Sequence, residues 1–156
     1  MKPVVKLIIS LIIPLAVGAV SSYFTIESVQ GWYVTLSKPS FNPPNWIFAP
    51  VWTVLYIMMG IALFLVWKST VALPIKRTAI ILFSIQMLLN FFWSFIFFYL
   101  HQKAAALAEI ILLWIFILAT IIAFAKISKV AAWLLVPYIV WVSFAMLLTY
   151  SIWHLN

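Results

Sequence analysis

Five long apolar runs leave this chain one practical way to fold. A helix crossing the hydrocarbon core of a bilayer needs about 20 consecutive apolar residues. The runs Val5–Thr25, Trp46–Trp67, Thr78–Leu100, Ala104–Ala125 and Val130–Trp153 all meet that requirement. The breaks after the second, third and fourth runs are short ("KSTVALPIKR", "HQK" and "KISK"), and short breaks force neighbouring helices to pack antiparallel. Composition removes the soluble alternative. Of the 156 residues, 68% are hydrophobic and 7% charged, with a mean hydropathy of +1.25, too little charge to cover the outer face of a soluble domain. The chain therefore reads as all-α, a single transmembrane domain over residues 1–156 built from five helices at about 5–25, 46–67, 78–100, 104–125 and 130–153.

The basic residues set the expected orientation. With the N-terminus inside, Lys2, Lys6, Lys68, Lys76, Arg77, Lys126 and Lys129 fall on the inner side, and only Lys38 and Lys103 on the outer side with both acids, Glu27 and Glu109. The positive-inside rule then predicts N-terminus inside and C-terminus outside. The net charge of +7 comes from cations standing singly or in pairs between apolar runs, the pattern of membrane loops and not of a nucleic-acid-binding patch. "MKPVVK" and the run after it resemble a secretory leader, but the apolar stretch is long for one, so the first run is read as a retained span. The absence of cysteine excludes disulfides and thiolate metal sites.

Polar and small residues inside such runs mark helix contacts or cavities, because lipid offers a polar group no partner. The first run places Ser10, Pro14, Gly18 and Ser22 four apart, a narrow face suited to close approach. The second places Phe48, Trp52 and Tyr56 on one stripe, with Gly60 a turn further. The third carries Gln86, Asn90 and Ser94, flanked by Trp93 and Phe97, and the fifth Tyr138, Trp141, Ala145 and Thr149. Facing one another, these stripes would wall a cavity for a flat, largely apolar ligand. Spacing alone leaves core packing and ligand contact equally open for Trp52, Trp93 and Trp141. Asn90 could equally lock two helices together by a hydrogen bond. Of the other tryptophans, Trp32, Trp46, Trp67 and Trp153 lie near run boundaries and fit an interfacial belt, and Trp114 and Trp133 fit lipid contact or plain packing.

The break at 26–45 differs from the others in holding "LSKPSFNPP". Each proline fixes its own φ and biases its predecessor toward extended backbone. The segment therefore loses little entropy on ordering and is expected to act as a lid. Pro43 and Pro44 would serve merely to start the second helix, but that leaves Pro39 and the aromatics Trp32, Tyr33 and Phe41 without a role.

Much chemistry is excluded. Three glycines, at 18, 31 and 60, cannot make a phosphate-binding loop. His101 and His154 each stand alone at a predicted outer helix end, where a solvated histidine is a simpler reading than a haem ligand. No metal site is expected. No run carries the mid-membrane Asp, Glu or Lys of an ion-coupled pump.

"WYVTLSKPSFNPPNWIFAPVWTVLYIMMG" (Trp32–Gly60), "LLNFFWSFIFF" (Leu88–Phe98), "VPYIVWVSFAMLL" (Val136–Leu148) and the ending "IWHLN" together resemble the translocator protein family, also called tryptophan-rich sensory protein or peripheral-type benzodiazepine receptor. The resemblance covers nearly the whole chain. It implies a five-helix membrane protein, commonly a homodimer, that binds porphyrins and haem and, in animals, cholesterol and benzodiazepine-type compounds. By motif, it implies a pocket walled by Phe48, Trp52, Tyr56, Asn90, Trp93, Trp141 and Ala145, closed by Trp32, Tyr33, Lys38, Pro39, Pro43 and Pro44. The macrocycle would stack between Trp52 and Trp141, with Asn90 and Tyr56 on its polar edges. The expected role is binding of a porphyrin- or haem-type tetrapyrrole, in tetrapyrrole handling or stress sensing, in a bacterial cell membrane and with no required cofactor. Two other roles follow from the same resemblance: passive transport of the ligand, and light- and oxygen-dependent breakdown of protoporphyrin with Trp52 and Trp141 as the redox-active side chains. Sterol binding is not expected, because the terminal motif keeps Leu148 and Tyr150 but puts His154 at its basic position. Thr149 and Glu109 stand where the family has Asn and Asp.

Overall fold

The structure, a computed structural model, describes all 156 residues and is wholly helical. Helix α1 spans Pro3–Gln30, α2 Phe48–Trp67, α3 Leu73–Ser94, α4 Lys103–Ala125, α5 Lys129–Leu134 and α6 Val136–Leu155. Short 3₁₀ turns at Tyr33–Thr35 and Asn45–Ile47 flank the first connection, and α3 continues into a π-helical turn at Phe95–Tyr99. Five segments are long and apolar enough to cross a membrane, α5 and α6 counting as one, Lys129–Leu155. Their division follows from Pro137, at the start of α6, which has no N–H to continue the ladder.

Two helices outrun their apolar runs. Helix α1 continues past Thr25 because nothing breaks it before Gly31, whose N–H closes the last turn on the Glu27 carbonyl at 3.1 Å. The connection expected at 26–45 thus shortens to 31–47, with its own 3₁₀ turns at each end. Helix α3 begins at Leu73 instead of Thr78, with Pro74 in its first turn, where a missing N–H costs nothing.

Around the bundle the helices neighbour one another in the order α1, α2, α5 with α6, α4, α3, and back to α1. The half remote from the first connection is solid. Met59, Ala62 and Val66 of α2 meet Phe83 of α3, Leu113, Ile117 and Phe124 of α4, and Val142 of α6, all buried in one cluster; Phe83 and Phe124 stack at 5.9 Å.

Helices α1 and α2 meet backbone to backbone. Pro14 inside α1 has no N–H to offer the Ser10 carbonyl four residues back. Gly60 of α2 faces that carbonyl. A Cβ there would lie 2.8 Å from the Ser10 oxygen and 2.9 Å from Leu11 Cα, so only glycine fits. The first-helix stripe is thus used within the chain: Ser10 and Pro14 are buried, and Gly18 lies against the ring of Tyr56.

Candidate functional site

The half of the bundle nearest the first connection is hollow. A cavity of about 470 Å³ lies between α1, α2, α3 and α6, beneath the connection, within the usual range for small-molecule sites. Phe48, Trp52 and Tyr56 line it from α2, Trp93 from α3, and Trp141 and Ala145 from α6. The stripes on α2 and α6 therefore do face one another. Phe48 meets Trp141 edge-on at 6.2 Å, and Trp52 lies over Tyr56 at 5.6 Å and edge-on to Tyr138 at 6.3 Å.

Asn90 is the residue the structure puts elsewhere. It is 2% exposed and is not on the cavity wall. Its side chain accepts from the Tyr56 hydroxyl and donates to the Tyr138 hydroxyl, both at 2.8 Å, and Tyr138 donates onward to Gln86 Oε1 at 2.7 Å. This buried chain joins α2, α3 and α6 under the cavity floor. It is the helix lock that spacing had left open for Asn90. It also turns the Tyr56 hydroxyl away from the cavity, leaving only the ring as lining. Ser21 and Trp93 also line the cavity, but Ser21 Oγ and Trp93 Nε1 are themselves sealed within the packing, with no protein partner; the open polar side chains are those of Ser22, Gln30 and Asn45 at its rim.

Among the proposed lid residues only Tyr33 lines the cavity; Trp32, Lys38, Pro39, Pro43 and Pro44 hold the lid in shape. Trp32 stacks on His101 at 4.1 Å, with Lys103 Nζ 5.5 Å from its ring centre. Lys38 Nζ donates to the Tyr33 carbonyl at 2.9 Å and sits 4.7 Å from the Tyr33 ring centre. Pro39 and Pro44 carbonyls accept from the amides of Asn42 and Ile47, and the Pro43 carbonyl accepts from Asn42 Nδ2. Phe41 rests on Phe144 of α6 at 6.1 Å. Asn156 latches the lid to the end of α6: Ser37 N–H donates to its Oδ1 at 3.1 Å, and its Nδ2 donates to the Ser37 carbonyl at 2.9 Å.

Tyr33 is buried and donates to Asn42 Oδ1 at 2.9 Å. Burial pushes its phenol up to about 12, although the bond to Asn42 pulls the other way. The folded value is above the unfolded one of about 10, so this contribution to lid stability is complete below about pH 10 and is lost as the pH rises through about 12. Protease protection of the lid is therefore expected to stay flat from about pH 6 to 9. A Tyr33→Phe variant should fray at all pH values and lack the alkaline transition.

The predicted site residues make up the smaller part of the wall. Helix α1 lends Gly18, Ser21, Ser22, Thr25 and Val29, and the π-helical turn lends Phe97 and Phe98. The α1 stripe was visible, but as a packing face. Nothing in "FIFFY" announces a π-helical turn; these turns recur at functional sites.

No acidic, basic or histidine side chain lines the cavity, and no three His, Asp or Glu side chains gather anywhere in the chain. The site can stack, exclude water and donate a few hydrogen bonds. Of the remaining tryptophans, Trp46, Trp133 and Trp153 are exposed on the outer surface, and Trp114 Nε1 donates to Ser143.

The family model described as the TspO/MBR family matches residues 10–154. The chain belongs to this family. It is similar to the tryptophan-rich protein TspO of Chlorobaculum tepidum, with 46% identity over 99% of this chain and 98% of that one. It is 42% identical to the protein of the same name from Archaeoglobus fulgidus, with 98% of each covered. The human translocator protein is 39% identical over 88% of this chain and 82% of its own. Family membership and five apolar helices together make this a multi-pass membrane protein.

Proposed function

We propose that the cavity binds a porphyrin- or haem-type tetrapyrrole and holds it unchanged, in tetrapyrrole handling or stress sensing. The observation that carries this reading is a wall of Phe48, Trp52, Trp93 and Trp141 rings around 470 Å³ with no charged side chain. Aromatic faces supply contact to a flat macrocycle, and the Ser22 hydroxyl and the Gln30 and Asn45 amides at the rim supply polar contacts that fix its orientation. The uncharged wall favours holding over chemistry, and no cofactor is required. We place the protein in a bacterial cell membrane, N-terminus inside, on its lysine and arginine asymmetry and its likeness to the Chlorobaculum protein. We also propose a homodimer, supported by a concave apolar groove of about 580 Å³ between α1, α2 and α3 that includes Ala16, Val20, Leu88 and Phe91.

The test is a titration of purified protein with protoporphyrin IX in the dark, followed by tryptophan fluorescence. Saturable quenching is expected. Trp52→Phe and Trp141→Phe should each weaken affinity about threefold to tenfold with the fold retained, since aromatic pairing is worth about 0.5–1.5 kcal/mol beyond area. Unchanged affinity in both variants removes the stacking site. Subsequent illumination should leave the bound spectrum unchanged; light-dependent bleaching that vanishes in either variant would replace the binding reading with the degrading one.

A further inference from the structure

We propose that the ligand enters sideways from the bilayer, through a doorway between α1 and α2, while the lid stays latched. The proposal rests on the tetrapyrrole reading of the cavity. Its first support is where the cavity wall meets the outside. On α3 and α6 every lining residue is buried or half-buried. Exposed lining residues are confined to α1, to α2 and to the turn leading into α2; they include Ala19, Ser22 and Ile26 on one side and Asn45, Ala49 and Thr53 on the other. A residue that both lines a cavity and lies open on the outer surface marks the edge of an opening. These residues form two facing edges.

The second support is how the two helices meet. At Gly60 and Ser10 they touch backbone to backbone, and at Gly18 and Tyr56 ring to backbone, with no room for a Cβ at either glycine. Nearer the loop, small residues continue on both edges (Ala19 and Ser22, Ala49 and Thr53), yet they remain exposed. Small residues on facing helices in lipid normally draw the helices together. Here the pair is pinned at Gly60 and Gly18, while its loop-side small residues line the cavity and stay open to the outside.

The third support is the alternative route. A ligand coming from the aqueous side must lift the lid, and that breaks the Asn156 latch on Ser37, the Tyr33–Asn42 bond and the Phe41 contact with α6. The doorway breaks none of these. Ser22 lies eight residues before the end of α1, about 12 Å along the axis. The opening therefore sits in the leaflet on the loop side, with the exposed Gln30 and Asn45 amides at its upper edge. That depth suits a flat apolar body in the acyl region with its carboxylates toward the headgroups.

The test uses the full chain in liposomes, with protoporphyrin IX supplied already dissolved in the vesicle membrane and stopped-flow tryptophan quenching as readout. Ala49→Phe and Ser22→Leu put bulk on opposite edges of the doorway at exposed positions. Association and dissociation are expected to slow together, by about tenfold in at least one variant, so that Kd moves less than either rate. Asn156→Ala, which frees the lid, should change the association rate by less than about twofold. Rates unaltered in both doorway variants, or a faster rate in Asn156→Ala alone, overturn the doorway. An absence of saturable quenching in the unmodified protein is a separate outcome, in which the tetrapyrrole reading falls and the doorway falls with it.

Discussion

Gly60→Ala is expected to lower the thermal midpoint of the solubilised protein, at a cost of about 1–3 kcal/mol, and Gly60→Leu to prevent recovery of folded protein. The added Cβ meets the Ser10 carbonyl oxygen at 2.8 Å and Leu11 Cα at 2.9 Å. Both are backbone atoms of a helix and cannot swing aside, so α1 must move away from α2. Gly60 is fully buried, and separation also exposes the Ser10 carbonyl, which Pro14 has already deprived of its helical donor. Gly18→Ala provides the contrast. There the clash, at 2.5 Å, is with Cε2 of the Tyr56 ring, a side chain that can rotate. The ring would then turn into the cavity and release Asn90. The expected result is a smaller loss of stability, about 1 kcal/mol for the hydrogen bond, and a larger loss of ligand affinity than Gly60→Ala shows in its folded fraction. Helical circular dichroism melts and tryptophan quenching measure the two effects separately. A Gly60→Ala protein that melts like the unmodified one would mean that α1 and α2 do not touch there.

Asn90→Ala should destabilise by about 1–3 kcal/mol. The side chain bridges the Tyr56 and Tyr138 hydroxyls, so its loss leaves two buried hydroxyls with one partner fewer, in surroundings where water cannot substitute. Membrane-embedded hydrogen bonds average about 0.6 kcal/mol each, with a maximum near 1.7; the larger expected total reflects the buried groups left behind. Tyr56→Phe removes one of the two bonds and should cost less. Combining the two changes should cost less than their sum, because they share a bond. Melts of the four proteins provide that cycle. An Asn90→Ala protein that keeps its melting temperature and loses porphyrin affinity would return Asn90 to the ligand wall.

The asymmetry of this bundle explains why one end is solid and the other hollow. In the solid half, Met59, Phe83, Leu113 and Val142 fill the centre. Above them α2, α3 and α6 carry flat rings that line space without filling it, while the Tyr56–Asn90–Tyr138–Gln86 chain closes the floor. The lid is held from three directions: from below by Tyr33, from α6 by Phe41 and Asn156, and from the α3–α4 turn by His101 against Trp32.

The class of this protein and its set of helices were legible in the linear order of residues. Run length and hydropathy are properties of consecutive positions, and a bilayer accepts only helices for such runs. The stripe of Phe48, Trp52 and Tyr56, and that of Trp141 and Ala145, were legible for the same reason, because residues four apart share a helix face. The sequence could not say whether such a stripe meets a cavity or a neighbouring side chain. Asn90 and Trp93 lie three apart on α3, and only their neighbours separate them: Asn90 meets two hydroxyls and becomes a lock, whereas the Trp93 N–H meets none. The role of α1 as a wall, the π-helical turn that brings Phe97 and Phe98 to the cavity, and the latch from Asn156 to Ser37, 119 positions apart, all depend on which helices become neighbours. Helix neighbours are set by tertiary packing, where a glycine and a proline on different helices decide how closely two backbones approach; no local pattern encodes that pairing.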